Sequence, residues 1–355
     1  MKIAILAPLS NPVPPELYGG TERVVSTLTE ELVRRGHDVT LFASGDSRTA
    51  ARLVPMCEKA LWKVADQGAD RLARTGMLAM LSDVYRRADE FDVIHAHIDE
   101  EYALAFARLS RTPTVLTLHG RLDINPHPWE CERLQVASLV SVSMAQRLPL
   151  RHLDLPWVGV VHNGIQIERY PFFPEPGEYL AFVGRITPDK RPDLAVEVAR
   201  ATGMPLKVGA AVHSVDTDYW RDEIRPLLRA NDVEFLGEIN DDEKAELFGG
   251  ALATLFPSDW PEPFGMVMPE SMATGTPVIA LDRGAAREVI EPGVSGFICR
   301  DGAEMIRAVG EVGQLDRALC RKQAARFTAQ RLAEDYEKIY SAAVATTRVP
   351  AAAVP

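Results

Sequence analysis

Short apolar segments alternate with amphipathic helical patterns along almost the whole chain. The first apolar segment, 2–7, is followed by a helical pattern over 21–36 whose valines and leucines form one stripe. The alternation begins again with segment 179–184 and a helical pattern over 188–202. Such alternation predicts right-handed βαβ units and buried parallel sheets. The sequence therefore predicts an α/β fold of two doubly wound, Rossmann-like domains facing a central cleft. Further strands are predicted at 38–43, 92–97, 114–119, 138–143, 157–164, 206–212, 233–237, 253–258 and 277–281.

A proline-rich segment separates the two series of strands and helices. Residues 169–178 contain three prolines and a glycine, a composition typical of a linker. We therefore predict an N-terminal domain over 1–168 and a C-terminal domain over 179–327. A last helical pattern, 328–346, is expected to pack back across both domains. The low-complexity tail, 347–355, predicts disorder.

Composition limits the classes of protein and partner. The 355 residues, 46% of them hydrophobic, are enough for two cores. A net charge of -11 argues against a nucleic-acid partner, because like charges repel. None of the four cysteines forms a C-x-x-C pair, so we expect free thiols in a reducing, cytoplasmic compartment. No apolar stretch reaches the roughly 20 residues that span a bilayer. The helical pattern over 71–88 implies at most weak peripheral membrane contact.

Three familiar motifs are absent from the sequence. No G-x-G-x-x-G follows the first strand, which argues against a dinucleotide site. There is no G-x-x-x-x-G-K-[ST] phosphate loop and no G-x-S-x-G nucleophile motif. We therefore expect no cofactor.

Two basic residues follow strand 179–184. Arg185 comes directly after Gly184, and Lys190 lies five residues further on. The guanidinium fork and the ammonium point charge together suit a diphosphate, and the glycine allows close approach to the backbone. Cations at a helix N-terminus oppose the helix dipole, so their presence there indicates an anionic ligand. Two solvated surface cations are the alternative interpretation.

Two glycines precede the first helical pattern. Gly19 and Gly20 allow close approach to the backbone, and the helix start that follows attracts anions. A flexible turn capped by Thr21 is the alternative interpretation.

The most specific pattern lies between 256 and 270. Glu262 is in a loop after a strand, Phe264 and Gly265 open a predicted helix, and Glu270 lies two turns further on. Carboxylates accept hydrogen bonds from paired sugar hydroxyls, so this spacing predicts one contact to a hexose and another to a ribose. A capping carboxylate and a surface glutamate are the alternative.

Two acidic or histidine patterns resemble metal sites. His95 and His97 alternate on one strand face and Asp99 follows, which is equally the pattern of polar residues at the end of a strand. Asp216 and Asp218 precede an amphipathic helix, for which we predict an N-cap. We therefore expect no metal.

Polar residues also follow strand 114–119 at its carboxyl end. They are His119, Arg121 and Asp123. Ligands of doubly wound sheets bind at such strand ends, so these residues are site candidates. A satisfied buried histidine is the alternative for His119.

Together these motifs resemble the family-four retaining glycosyltransferases of the GT-B type, which have two Rossmann-like domains. The resemblance runs from Tyr18-Gly-Gly, through Phe-Val-Gly-Arg…Lys, to the E-x₇-E element. It implies that the N-terminal domain binds the acceptor and the C-terminal domain binds a nucleotide-sugar donor. The chain departs from the family at Arg191-Pro192, where Gly or Asn often follows the lysine, and at Ala285, where a second glycine is usual.

The resemblance also implies roles for single residues. Arg185 and Lys190, with Gly184, would bind the diphosphate, and Glu270 the ribose. Glu262 and the amides of Phe264 and Gly265 would hold the transferred sugar. The remaining donor contacts would come from Gly19, Gly20, His119 and, against the base, Ile239. The acceptor would be bound by His97, Asp99, Arg121 and Asp123.

The predicted activity is that of a cytoplasmic, metal-independent, retaining glycosyltransferase. Its catalytic residues would be Glu262, His119, Arg185 and Lys190. The predicted donor is a UDP-sugar, with GDP- and ADP-sugars as alternatives, and the predicted acceptor is a small molecule or a glycan. A nucleotide-sugar 2-epimerase of similar fold and a non-catalytic nucleotide-sugar-binding module remain as alternatives.

Overall fold

The computed structural model of the chain describes residues 1–63, 69–98, 106–124, 137–231 and 233–348. The chain divides into two compact units, one formed by Met1–Gly164 with Ala329–Pro355 and the other by Ile165–Thr328. Each unit is built on a parallel sheet. The predicted α/β fold of two doubly wound domains is therefore confirmed.

The first unit contains a seven-stranded sheet in the order β3-β2-β1-β4-β5-β6-β7. Its central strands are buried on both faces, as the near-continuous apolar segments require. The strands are β1 (Lys2–Leu6), β2 (Asp38–Ser44), β3 (Arg52–Cys57), β4 (Val93–Ala96), β5 (Thr114–Leu118), β6 (Ser138–Ser141) and β7 (Trp157–Val160).

The second unit contains a six-stranded sheet in the order β10-β9-β8-β11-β12-β13. Its strands are β8 (Leu180–Arg185), β9 (Leu206–Ala211), β10 (Glu234–Gly237), β11 (Ala253–Phe256), β12 (Val278–Leu281) and β13 (Gly296–Cys299).

Helices lie in most of the described connections between strands, as is usual for parallel pairing, although residues 45–51 join β2 to β3 without one. In the described residues, the α-helices are α1 (Gly20–Arg34), α2 (Ala69–Arg86), α3 (Met144–Arg147), α4 (Pro192–Thr202), α5 (Thr217–Tyr219), α6 (Arg225–Ala230), α7 (Asp241–Gly249), α8 (Val267–Ala273), α9 (Ala286–Val289), α10 (Gly302–Val312), α11 (Arg317–Ala324) and α12 (Ala329–Arg348). None of these has an apolar stretch long enough to cross a bilayer.

Two strands escaped the sequence analysis, and both lie at the edge of a sheet. Within the described residues β3 pairs only with β2, and its Pro55 interrupts the apolar pattern. Proline lacks an N–H donor and is tolerated only where one side of a strand needs no partner. β13 is only four residues long, and β12 is its one neighbouring strand among the described residues.

The strand order of each sheet reverses at its centre. β1 lies between β2 and β4 in the first sheet, and β8 lies between β9 and β11 in the second. Ligands of doubly wound sheets bind outside the carboxyl ends of the strands at such a reversal. The loops after these strands are therefore where a site is expected.

The last helix, α12, belongs to the first unit. Its buried Tyr340 and Tyr336 place their hydroxyls 2.6 Å from His95 Nδ1 and 2.8 Å from Thr117 Oγ1. On the outer side of the helix, Arg35 and Glu337 form an ion pair at 2.7 Å. The helix therefore completes the core that begins with the first strands.

The compact units differ in detail from the predicted segments. The chain passes between the units after Gly164 and again after Thr328, so the predicted linker, 169–178, lies within the second unit. The last helix continues to Arg348, and the rest of the predicted tail, 349–355, lies outside the described residues.

Candidate active site

Two loops of the second unit meet beside the carboxyl ends of β8 and β11. The Asp259 amide donates to the carbonyl of Asp189 at 2.9 Å, which ties the loop after β11 to the loop after β8. Lys190 Nζ forms an ion pair with the Glu262 carboxylate. The same ammonium lies 4.8 Å from the centre of the Trp260 ring. The fold thus brings together a cation and a carboxylate that were predicted from separate motifs.

Arg185, at the end of β8, also has an acidic neighbour. Its Nε lies 3.2 Å from Asp216 Oδ2. Asp216 occupies the predicted N-cap position, before α5, but its side chain makes no capping hydrogen bond in the described part of the chain, and Asp218 lies inside that helix. An anion that binds Arg185 therefore has to displace the Asp216 carboxylate.

Lys190 lies in a tight turn and not in the helix predicted over 188–202. Pro188–Lys190 form a 3-10 turn, Arg191 has φ 53°, and α4 begins only at Pro192. Proline disfavours the α conformation in the residue before it, which explains the break. Arg191 contacts Asp193 at 2.9 Å and Asp259 at 3.6 Å, so the turn is held by ion pairs.

The backbone of Glu262 is held by close approach of another loop. The Ala285 amide donates to the Glu262 carbonyl at 3.0 Å. Gly284 has φ +51°, and a Cβ there would overlap the backbone N and O of Glu262. Only glycine fits this position without moving Glu262, so the departure from the family at Ala285 leaves this contact intact.

The segment after Glu262 does not form the helix predicted to open at Phe264. Phe264 is buried, and its ring centre lies 5.5 Å from that of Phe327. Gly265 has φ +79°, a left-handed conformation that favours glycine, and α8 begins two residues later, at Val267.

Glu270 therefore lies in the first turn of α8, and it is only 2% exposed. Its Oε2 forms an ion pair with Lys244 Nζ at 2.8 Å, and Lys244 also contacts Asp241 at 3.2 Å. Glu270 Oε1 is buried and has no hydrogen-bond partner among the described residues. A buried acceptor without a partner costs about 1–3 kcal/mol, which a ligand hydroxyl would relieve. Lys244 was missed by the sequence analysis, because it reads as one of several charges on a surface helix.

The packing around Ile239 and Gly184 is less tight than the packing around Gly284. Ile239 follows β10 and packs on Gly209 of β9, where a Cβ would overlap its side chain. Gly184 lies within β8, and a Cβ there would make ordinary contact with Phe182, at 3.7 Å. Nothing in its own packing within the described residues thus requires glycine at position 184.

In the first unit, three histidines meet at the carboxyl ends of β4 and β5. His97 Nδ1 and His119 Nε2 are 2.9 Å apart, and His95 Nε2 lies 2.7 Å from Thr117 Oγ1. Burial lowers the pKa of His119 to about 4 and holds the pKa values of His95 and His97 well below their usual range. All three rings are therefore neutral at neutral pH and act as hydrogen-bonding groups.

A cavity of about 340 Å³ opens beside these histidines. His97, His119, Arg121 and Thr21 are among its lining residues. His97 Nε2 is buried without a hydrogen-bond partner in the described residues. Arg121 donates to Asp123 through Nε and Nη2, at 2.9 and 2.6 Å. Polar groups with spare hydrogen-bonding capacity thus converge on one cavity.

The remaining predicted residues of the first unit are placed as follows. Gly19, with φ +153°, is the N-cap of α1, and Gly20 is the first residue of that helix. Thr21, which lines the cavity, belongs to the same helical turn. Asp99 lies outside the described residues.

Two family models match the chain, one to each half. Residues 18–169 match the model described as Glycosyltransferase Family 4, and residues 166–322 match that described as Glycosyl transferases group 1. The chain therefore belongs to the family-4 glycosyltransferases of the GT-B type. Since both models describe glycosyltransferases, glycosyl transfer is its class of activity, and neither match favours the 2-epimerase alternative.

Similar proteins agree with this assignment. Glycogen synthase of Mycobacterium tuberculosis is 29% identical over 96% of this chain and 92% of its own length. The D-inositol 3-phosphate glycosyltransferase of Mycolicibacterium smegmatis is 25% identical over 93% and 87%. Among solved structures, Anabaena HepE in complex with UDP has a TM-score of 0.75 and 19% identity, with 96% and 100% of the two chains covered.

The buried histidines predict that the protein loses stability in mild acid. The unfolded chain takes up a proton on His119 near pH 6.5, whereas the folded protein does so only near pH 4. Stability is therefore full above pH 6.5 and falls as the pH drops towards 4, by about 3 kcal/mol from this group. Thermal unfolding measured from pH 7.5 to 4 tests this. His119→Asn should flatten the profile and the exposed His152→Asn should not; a profile that His119→Asn leaves unchanged contradicts the assignment.

The close approach of Gly284 predicts a large cost for a single methyl group. Gly284→Ala adds left-handed strain, about 1–2 kcal/mol, and an overlap with the Glu262 backbone that adds about 1–3 kcal/mol. Gly293→Ala is the matched control, since Gly293 has φ +77° but open space around its Cβ. Denaturant unfolding should show a larger loss for Gly284→Ala. Equal losses would mean that the approach to Glu262 is not tight.

Proposed function

We propose that this protein transfers a hexose from a nucleotide-diphosphate sugar to a hydroxyl group of a small molecule or glycan. Transfer proceeds with retention of the anomeric configuration and without a metal ion. One observation carries the proposal: the Lys190–Glu262 pair lies in the same unit as Glu270, whose buried Oε1 has no partner among the described residues.

The donor diphosphate is assigned to Arg185 and Lys190. Each cation already has a carboxylate partner, Asp216 and Glu262 respectively, so binding exchanges a carboxylate for a phosphate. The guanidinium fork fits two phosphate oxygens, and the ammonium acts as a point charge. Because these charges are supplied by the protein, a bridging metal is not needed.

The two glutamates are assigned to the two sugars of the donor. Glu262, beside Lys190, holds hydroxyls of the transferred hexose. Glu270 accepts from a ribose hydroxyl through its open Oε1. The ribose is unchanged during transfer, whereas the anomeric carbon of the hexose becomes cation-like in the transition state. The two carboxylates therefore contribute at different stages of the reaction.

The acceptor is assigned to the cavity of the first unit, with His97, Arg121, Asp123 and, from the sequence, Asp99. Neutral imidazoles donate through one nitrogen and accept through the other, which suits sugar-like hydroxyl groups.

His119, hydrogen-bonded to His97, is assigned to the donor sugar near the reacting carbon. Gly19 and Gly20, at the start of α1, are assigned to the donor; the space beside Gly20 is open, whereas Pro15 packs against Gly19.

In the reaction, the acceptor oxygen forms a bond to the anomeric carbon on the face from which the diphosphate leaves. The bond between that carbon and the diphosphate oxygen breaks, and a phosphate oxygen takes the acceptor's proton. Arg185 and Lys190 stabilise the negative charge that develops on the leaving diphosphate. Preorganised charges of this kind act mainly on the transition state.

Uridine is the nucleoside that we propose for the donor, with guanosine and adenosine as alternatives. Anabaena HepE, a relative in fold, has been solved in complex with UDP and with UDP-glucose. In this chain Ile239, after β10, is assigned to pack against the base.

The proposal predicts nucleotide binding and a retained product. One of UDP, GDP and ADP at 100 times its Kd should stabilise the protein by about 2.7 kcal/mol in thermal unfolding. With the matching UDP-, GDP- or ADP-glucose and an acceptor, NMR of the product should show the anomeric configuration of the donor, with the same rate in EDTA. An inverted product, or activity lost in EDTA and restored by Mg²⁺ or Mn²⁺, contradicts the mechanism.

Glu262 and Glu270 are expected to fail differently when changed. Glu262→Gln should lower kcat by about 10²–10³-fold, the effect of losing one contact made mainly in the transition state. Glu270→Gln should mainly raise KM, because the ribose contact is the same in the ground and transition states. Steady-state kinetics on donor and acceptor measure both. The exposed Glu197→Gln should behave as wild type. A normal kcat in Glu262→Gln, with kcat abolished in Glu270→Gln, contradicts the assignment.

A further inference from the structure

Four charges of alternating sign run from the surface of the second unit to Glu270. Arg169 Nη1 lies 3.7 Å from Asp241 Oδ2, and Asp241 Oδ1 lies 3.2 Å from Lys244 Nζ. Lys244 Nζ in turn lies 2.8 Å from Glu270 Oε2. The side chains become less exposed towards the end of the series: Lys244 is 8% exposed and Glu270 only 2%. The series therefore ends on a buried carboxylate.

The contact between Lys244 and Glu270 uses only one oxygen of the carboxylate. Oε2 forms the ion pair with the ammonium, and the buried Oε1 has no hydrogen-bond partner in the described part of the chain. A buried ion pair gives little net stability, since removing both charges from water offsets their attraction. A pair that only stabilised the fold would also gain from satisfying Oε1. The arrangement instead keeps one strong acceptor open.

The chemistry of lysine suits this arrangement. An arginine at the same place would present a planar fork that can hold both oxygens of a carboxylate. The compact ammonium of Lys244 acts as a point charge and contacts Oε2 only, so that Oε1 keeps its capacity to accept a hydrogen bond. It also fixes the rotamer of Glu270, since the carboxylate cannot turn without breaking a buried ion pair.

We propose that Lys244 is a positioning residue that makes the donor site selective for ribose over deoxyribose. It holds Glu270 by Oε2 so that Oε1 accepts a hydrogen bond from a ribose hydroxyl. This inference rests on the proposed function, because it takes Glu270 to be the ribose contact. It adds a residue from a different helix, α7, that acts through Glu270.

The test compares nucleoside diphosphates with and without the ribose hydroxyls. UDP, ADP and GDP, each paired with its 2′,3′-dideoxy counterpart, are titrated into the full-length protein by calorimetry. The wild-type protein should prefer the ribonucleotide by about 10- to 100-fold, the usual effect of losing a hydrogen bond to a charged group. Lys244→Met should reduce this preference to about 1- to 3-fold, mainly by weakening the ribonucleotide. Glu270→Gln should show the same pattern.

Two control variants separate positioning from a structural role. Lys207→Met breaks another lysine–glutamate pair of the same unit, Lys207–Glu234 at 3.0 Å, and should keep the wild-type preference. Lys244→Arg keeps the positive charge, so we expect the variant to fold. The arginine fork can hold both oxygens of the Glu270 carboxylate. The variant should also lose the preference for ribose, with a Tm close to wild type.

Each outcome decides between the two roles. A purely structural Lys244 would weaken both members of a nucleotide pair equally, and this overturns the inference. A wild-type preference in folded Lys244→Met, or in Lys244→Arg if the Met variant does not fold, also overturns it. These results leave the proposed function standing as long as the wild-type protein binds a nucleotide. If the wild-type protein binds none of the three, the proposed donor and this inference both fail.

Discussion

Charge compensation governs the second unit. The cations assigned to the diphosphate, Arg185 and Lys190, each contact a carboxylate, and Glu270 contacts a lysine. An isolated charge in such a partly buried place would be costly, and the pairing removes that cost before any ligand binds. A bound diphosphate does not have to create a charged site. In the proposed function it enters by exchanging partners in one that already exists, which is consistent with carboxylates beside both cations.

The fold was largely predictable because the strands of parallel sheets that are buried on both faces are nearly continuous apolar segments, which are easily recognised in a sequence. Eleven predicted strands, including those over 2–7 and 179–184, correspond to strands of the structure. The two that escaped are edge strands, whose single partner permits a proline in one and a very short segment in the other. The break of the helix at Arg191 follows from local backbone chemistry, because Pro192 disfavours the α conformation in the residue before it although the helical pattern runs through both positions.

The candidate site was only half predictable. Residues that follow a strand could be placed at the edge of a sheet, because the position of the strand end is itself predicted: Lys190, Glu262, His97 and His119 are examples. Residues that act through a partner distant in sequence were missed. Lys244 and Glu270 are 26 positions apart, on different helices, and no local pattern relates them. Asp216 was assigned to a local capping role, whereas it pairs with a residue 31 positions earlier.

The place of α12 in the first unit has a consequence for the order of synthesis. Ribosomes make β4, with His95, long before they make Tyr340, its hydrogen-bonded neighbour 245 residues later. The second unit, Ile165–Thr328, is continuous in sequence and lies between them. Domains commonly fold as units while the chain emerges, so this unit can be complete while the first still lacks one wall of its core. The first unit thus begins to be synthesised first but is completed last. One face of its sheet stays uncovered until α12 has been synthesised.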